Sequence, residues 1–66
     1  MKLIVNGMEK EFQNVKTIAD LVHEYRLNER IIIIEHNLEI VPRDQYTEVP
    51  VADGDRIEIV HFVGGG

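Results

Sequence analysis

The sequence predicts an α+β fold in which a mixed sheet of four to five strands carries one helix across one face. Two observations lead to this prediction. Residues 17–26 have the apolar spacing of a helix, whereas the other apolar stretches are short and rich in β-branched residues. An Asn-Gly pair, typical of a tight hairpin, follows the first of these short stretches. The 66 residues suffice for one small domain.

The first two strands are predicted to form a hairpin. Residues 2–6 alternate between two faces, and Asn6 and Gly7 supply the turn. Residues 8–12 form the return strand, in which Lys10 falls on the apolar side. We therefore expect this strand at an edge of the sheet, where the Lys10 ammonium can reach water.

One helix is predicted over residues 17–26. Thr17 can cap it, and Asp20 stands at the third position of a capping box. Arg26 in the last turn suits the helix dipole, and Asn28 is predicted to end the helix in a left-handed conformation. The apolar stripe, at the spacing i, i+3, i+4 and i+7, comprises Ile18, Leu21, Val22 and Tyr25.

The second half of the chain predicts three further strands. Residues 31–34 are all isoleucine, which favours a strand inside the sheet with apolar groups on both faces. Residues 39–41 form a short strand that Pro42 ends, and residues 43–48 are polar and irregular. The last strand covers residues 56–63.

The connection pattern identifies the topology. Asp53, Gly54 and Asp55 form a tight turn before the last strand. The helix allows a crossover between the first and last strands, so we expect these two to form a central parallel pair. This order of elements is that of the β-grasp, or ubiquitin-like, fold.

Composition excludes several classes of function. The net charge of −5 argues against nucleic-acid binding and suits a basic protein surface. Because the chain has no cysteine, it has no disulfide, no thiol nucleophile and no thiolate-bound metal. No apolar run approaches the roughly 20 residues of a membrane span, and the N-terminal apolar segment is too short for a signal peptide, so we expect a cytoplasmic protein.

The chain ends in three glycines, directly after the last predicted strand. Glycine has no Cβ, so a glycine end is a slim tether for the terminal carboxylate. Residues 63–66 reach at most roughly 14 Å when extended, which suits delivery into another protein's active site. We predict a domain over residues 1–63 and a flexible tail over residues 64–66. The alternative is an inert terminus or an engineering scar.

Three segments of the chain carry a family resemblance. They are residues 3–7 (LIVNG), residues 37–43 (NLEIVPR) and residues 53–66, in which turn, last strand and glycine end follow one another. These segments resemble the ThiS family of sulfur carrier proteins and, more loosely, the small subunit of molybdopterin synthase. The resemblance covers essentially the whole chain and is most specific in the closing segment. It implies the β-grasp fold and a sulfur carrier for thiazole synthesis in thiamin biosynthesis.

The resemblance also implies the site and its partners. A ThiF-like adenylating enzyme uses ATP to activate the carboxylate of Gly66, and sulfur replaces the activated oxygen to give a thiocarboxylate (1-thioglycine). Cysteine desulfurase is the indirect sulfur source, and thiazole synthase (ThiG) takes the sulfur. Gly65 supplies slimness beside Gly66, and Gly64 lengthens the flexible part.

By this account the chain is a protein cosubstrate and not an enzyme. It lacks a G-x-x-x-x-G-K loop and is too small for a nucleotide domain, so activation belongs to a separate protein. We expect no bound cofactor and a monomer in the free state. His23, His36 and His61 fall on three different predicted elements without paired spacing, so we expect no metal site.

A docking surface follows from strand alternation. If Ile57 and Ile59 face the helix, then Glu58, Val60 and Phe62 face the other side, with Ile4 of the first strand near them. We predict that this side docks the activating enzyme and thiazole synthase. The alternative is that Val60 and Phe62 pack against residues 42–48.

Other functions can use the same carboxyl end. The chain can be a sulfur carrier for another pathway, of the molybdopterin type or for thiolated amino acids, or a ubiquitin-like modifier that forms isopeptide bonds. It can also be a plain β-grasp interaction module with an inert tail.

Overall fold

The computed structural model describes residues 1–62. The sheet has five strands in the order β2-β1-β5-β3-β4. The elements in chain order are β1 (Lys2–Val5), β2 (Met8–Glu11), α1 (Ile18–Glu24), a first 3-10 helix (Glu29–Ile31), β3 (Ile32–His36), β4 (Glu39–Ile40), a second 3-10 helix (Arg43–Gln45) and β5 (Arg56–His61).

The predicted α+β class and the central parallel pair are confirmed. β1 pairs with β5 in parallel, whereas β1 with β2, β3 with β5 and β3 with β4 pair antiparallel. α1 packs on one face of the sheet, and the core lies between them. The largest fully buried side chains are Leu3, Ile18, Leu21, Ile32, Ile34 and Ile57. Within residues 1–62 no helix is long and apolar enough to cross a bilayer.

The hairpin forms at the predicted turn, with slightly shorter strands. Asn6 and Gly7 have φ values of 50° and 83°, as a two-residue type I′ turn requires. Asn6 therefore belongs to the turn and not to β1, and its Oδ1 accepts a hydrogen bond from the Ile59 N–H at 2.7 Å. β2 ends at Glu11 and lies at the sheet edge, where Lys10 is exposed, as predicted.

The predicted capping box begins the helix. Thr17 Oγ1 accepts from the Asp20 N–H at 3.2 Å, and Asp20 Oδ2 accepts from the Thr17 N–H at 3.1 Å. Backbone N–H groups of Lys16 and then Thr17 hold the pKa of Asp20 below its ordinary value of 3.8. The cap satisfies donors that would otherwise lack partners at the first turn.

The prediction that Asn28 ends the helix is wrong. Arg26 takes the left-handed conformation, with φ 55°. The Arg26 N–H donates to the His23 carbonyl at 3.0 Å and the Leu27 N–H donates to the Val22 carbonyl at 2.9 Å, which is a Schellman motif. Asn28 instead caps the first 3-10 helix, with its Oδ1 accepting from the Arg30 N–H at 3.0 Å.

The bounds of three strands also differ from prediction. β3 begins at Ile32 because Ile31 closes the first 3-10 helix, and it continues to His36. β4 ends at Ile40, and the segment predicted as irregular contains the second 3-10 helix. β5 ends at His61; residue 63, predicted to belong to it, lies outside the described residues.

A hydrogen-bonded pair holds the start of β5 to the end of β3. His36 Nε2 and Asp55 Oδ2 are 2.7 Å apart, and Asp55 Oδ2 also accepts from the Ala52 N–H at 2.8 Å. Burial raises the pKa of Asp55, but hydrogen bonds from His36, Ala52 and Asn37 together outweigh it and hold this pKa below 3.8. The predicted turn at residues 53–55 is observed, with Gly54 at φ 89°.

Candidate functional site

β5, which leads to the glycine end, presents different side chains to the two faces of the sheet. Ile57 is fully buried beneath the helix, and Ile59 packs partly buried against the same core. Val60 and Phe62 are 51% and 54% exposed. The predicted alternation along β5 is therefore observed, and half of each of these two side chains is open to solvent.

The face of the sheet opposite α1, which we call the outer face, carries a discontinuous apolar surface. Ile33 lies directly opposite Val60, so both side chains point to this face. Its apolar members are Ile4, Ile33, Ile40, Val60 and Phe62. Ile33 is one of the alternate members of the isoleucine run, which the sequence allows on this face without fixing their parity, and Ile40 is not among the predicted docking residues. Burial of Ile32 and Ile34 fixes the parity of the isoleucine run, which the uninterrupted sequence could not do.

Carboxylates surround these apolar residues. Register places Glu9 opposite Ile4 and Glu35 opposite Glu58, all on the outer face. Glu11 is there too, but the N-terminal ammonium lies 2.8 Å from its Oε2. The basic side chains of this face are Lys2 and Arg56, in register with Glu11 and Ile4. The outer face is therefore apolar with an excess of negative charge, which complements a basic protein surface.

The described part of the chain shows no cluster of ligands for a metal. His23 lies on α1, His36 on β3 and His61 on β5, and residues 1–62 bring no three His, Asp or Glu side chains together around one point. His36 is engaged with Asp55.

The predicted sulfur-carrying residue and its tail neighbours, Gly66, Gly65 and Gly64, lie outside the described residues. The described chain reaches Phe62, whose N–H donates to the Ile31 carbonyl at 2.8 Å. Gly66 thus follows Phe62, a residue of the outer face, by four positions in the sequence.

Comparison with known proteins gives consistent results at the level of family and fold. The profile of the ThiS family matches residues 3–66. The sulfur carrier protein ThiS of Bacillus subtilis (strain 168) is 46% identical over 65 residues, which cover 97% of this chain and 98% of that protein. The crystal structure of the thiamine biosynthesis protein ThiS of Geobacter metallireducens is similar, with a TM-score of 0.84, 28% identity and 100% of both chains covered.

A longer relative also matches. A thiazole synthase of Paramagnetospirillum magneticum is 47% identical over 66 residues, which are 100% of this chain and 20% of that protein. The chain thus spans about a fifth of the length of this relative.

The family match and the whole-chain similarity agree with the β-grasp topology. They distinguish the carrier of thiamin biosynthesis from the other functions that a glycine end allows. The chain belongs to the ThiS family of sulfur carrier proteins, which act as carriers and not as catalysts.

Proposed function

We propose that the carboxylate of Gly66 is the group on which this chain carries sulfur for thiazole synthesis. The observation that carries the proposal is that the family match runs through residue 66 and so includes the glycine end. The position of that end supports it further, since it directly follows β5 and the exposed Phe62. Gly64 and Gly65 provide a chain slim enough to enter a narrow channel.

The chemistry requires activation, because a carboxylate is a poor electrophile. A ThiF-like enzyme joins the Gly66 carboxylate to the AMP of ATP and releases pyrophosphate. Cysteine desulfurase supplies the sulfur indirectly, and a thiol reductant delivers it at the oxidation level of sulfide. This sulfide attacks the acyl carbon, and AMP leaves with the activated oxygen. The product is a thiocarboxylate, whose sulfur passes to thiazole synthase. We place these steps in the cytoplasm, where ATP is available.

The outer face docks the enzymes that act on the tail. Val60 and Phe62 provide exposed apolar area, Ile4 and Ile33 extend it along the register, and Glu58 adds charge. α1 covers the other face of the sheet and does not shield these side chains, of which Val60 and Phe62 are about half exposed. A free monomer with such a face associates with each enzyme in turn.

Removal of the glycine end tests the proposal. The chain lacking residues 65 and 66 should fold normally and fail to support thiazole formation in a reconstituted system with the adenylating enzyme, thiazole synthase and its carbon substrates, cysteine desulfurase, cysteine, ATP and a thiol reductant. A chain with Gly64→Ala is the matched control, because it keeps the terminal pair. Full activity of the shortened chain would refute the proposal and favour an inert tail.

A further inference from the structure

A concave surface lies on the helix side of the sheet, at the C-terminal end of α1. This inner cleft has a volume of about 250 Å³. Its apolar lining consists of Val5, Met8, Tyr25, Leu27 and Ile59. Met8 is 61% exposed and Tyr25 38% exposed, so the cleft is open to solvent within the described part of the chain.

The lengths of the elements explain the cleft. α1 has seven residues and spans about 10 Å, whereas β5 has six residues and spans about 20 Å. The Schellman turn at Arg26 then leads the chain away into the first 3-10 helix. The helix thus ends before it has covered the far end of β5, where Ile59 and His61 lie on the inner side.

The chemistry of the lining indicates what the cleft receives. A volume of about 250 Å³ is small for a cofactor and fits one large apolar side chain. Its polar lining residues are Asn6, Lys10 and His61, and no carboxylate lines it. Asn6 Oδ1 already accepts from the Ile59 N–H. An incoming apolar group therefore meets Lys10, whose ammonium favours a neighbouring negative charge, and the ring nitrogens of His61.

The position of the cleft indicates which protein provides that group. His61 is the last residue of β5, five residues before Gly66 in sequence. Five extended residues reach about 17 Å. His61 lines the inner cleft and Phe62 is exposed after it, so both sides of the end of β5 lie within reach of a protein that takes up the carboxyl end of this chain.

We propose that the inner cleft is a second docking site, which receives an apolar side chain with a carboxylate beside it from thiazole synthase, the protein to which the C-terminal end delivers its sulfur. The site rests on the proposed carrier function and deepens it. The partner then contacts β5 on both faces of the sheet. It places basic and apolar groups against the outer face, and acidic and apolar groups in the cleft. Such two-sided contact fixes the direction in which the tail leaves the domain.

The test measures the affinity of purified thiazole synthase for the intact chain and its variants by isothermal titration calorimetry. Met8→Asp should weaken binding about tenfold, because it places a charge in the apolar cleft and beside the partner's carboxylate. Lys10→Glu should weaken it about fivefold. Both side chains are exposed, so the variants should keep the native fold, which far-UV circular dichroism checks.

Two control variants make the test specific. Leu38→Asp changes a residue that is 74% exposed at the opposite end of the sheet, and Lys16→Glu repeats the charge reversal outside the cleft. Both should bind as the unaltered chain does. Amide resonances of Tyr25 and Leu27 in the ¹⁵N-labelled chain should shift when thiazole synthase is added.

Three results would overturn the inference. If the unaltered chain binds while Met8→Asp and Lys10→Glu bind equally well, the cleft is not a docking site, and the carrier function stands. Equal weakening by the control variants would show a nonspecific charge effect. No binding of the unaltered chain would refute both the cleft and the proposed transfer to thiazole synthase.

Discussion

Glu35 of β3 and Glu58 of β5 lie directly opposite each other, with both carboxylates on the outer face of the sheet. Like charges in directly opposed positions destabilise an antiparallel pair. Both side chains are half-buried beside Ile33 and Val60, so water screens their repulsion only in part. The register therefore places two like charges opposite each other in the middle of the surface proposed for docking, where a basic group of a partner would relieve their repulsion.

Removing one of these charges should separate stability from binding. We expect Glu58→Gln to raise the free energy of unfolding by about 0.2–1 kcal/mol, because it removes the repulsion from Glu35. The same change should weaken binding to the adenylating enzyme. Urea unfolding and calorimetric titration measure the two effects. Glu24→Gln on the exposed end of α1 is the control, and a loss of stability in Glu58→Gln would contradict the account.

Phe62 should contribute to binding without supporting the fold. Its side chain is 54% exposed, so Phe62→Asp should leave the urea midpoint unchanged while weakening the complex with the adenylating enzyme at least about tenfold. Leu38→Asp, an equivalent change at the other end of the sheet, should bind normally. Tight binding of Phe62→Asp would remove Phe62 from the docking surface.

Arg26 should be a site of backbone strain. Its φ of 55° is the left-handed conformation that glycine adopts without cost, and glycine is usual at this position of a Schellman motif. Arg26→Gly should therefore stabilise the fold by about 0.5–1 kcal/mol in urea unfolding. Glu24→Gly, at the last residue of α1, should instead destabilise the fold by a similar amount, because the backbone there is helical and glycine gains nothing from its conformational freedom. A destabilised Arg26→Gly would show that its side chain makes a stronger contribution than the strain.

Acid should weaken the hydrogen bonds that Asp55 accepts at the start of β5. The pKa of Asp55 is lower in the folded chain than its ordinary 3.8, so folding favours the ionised carboxylate. The contribution of Asp55 to the free energy of unfolding is fully present above about pH 4. It is lost as the pH falls through the pKa that Asp55 has in the folded chain. Asp55→Asn should lower stability at pH 7 by about 1–3 kcal/mol, through its bonds to His36 and the Ala52 N–H.

The pH dependence distinguishes this role from simple loss of packing. The difference in urea stability between the unaltered chain and Asp55→Asn should shrink steadily below pH 4. Asp53→Asn, on the same turn, is the matched control for a neighbouring carboxylate. A constant difference across the acid range would show that ionisation of Asp55 does not stabilise the fold.

Much of the fold could be predicted because its signals are local. Asn6 with Gly7, the Thr17 cap and the alternation along β5 each depend on residues a few positions apart, and all three are observed. The end of the helix is not predictable in this way. Asparagine adopts the left-handed conformation more readily than arginine, but Leu27 packs against the core and the turn forms at Arg26. Tertiary packing therefore outweighs the intrinsic preference of the residue at this position.

The docking surface and the inner cleft depended on information that the sequence does not hold. Four consecutive isoleucines have no period, so Ile33 could be assigned to the outer face only from its register with Val60. The inner cleft arises from the relative lengths of α1 and β5 and from the direction of the turn between them. Lys10 was expected at an edge, but its place beside His61 follows from tertiary structure alone.

The most direct test of the central claim is intact-mass spectrometry of the full chain after incubation with its adenylating enzyme, ATP, cysteine, cysteine desulfurase and a thiol reductant. The account predicts a mass gain equal to sulfur replacing one oxygen, which fragmentation assigns to Gly66 and which is absent without ATP. An unchanged mass, in a mixture that converts a known carrier of this family, would contradict it.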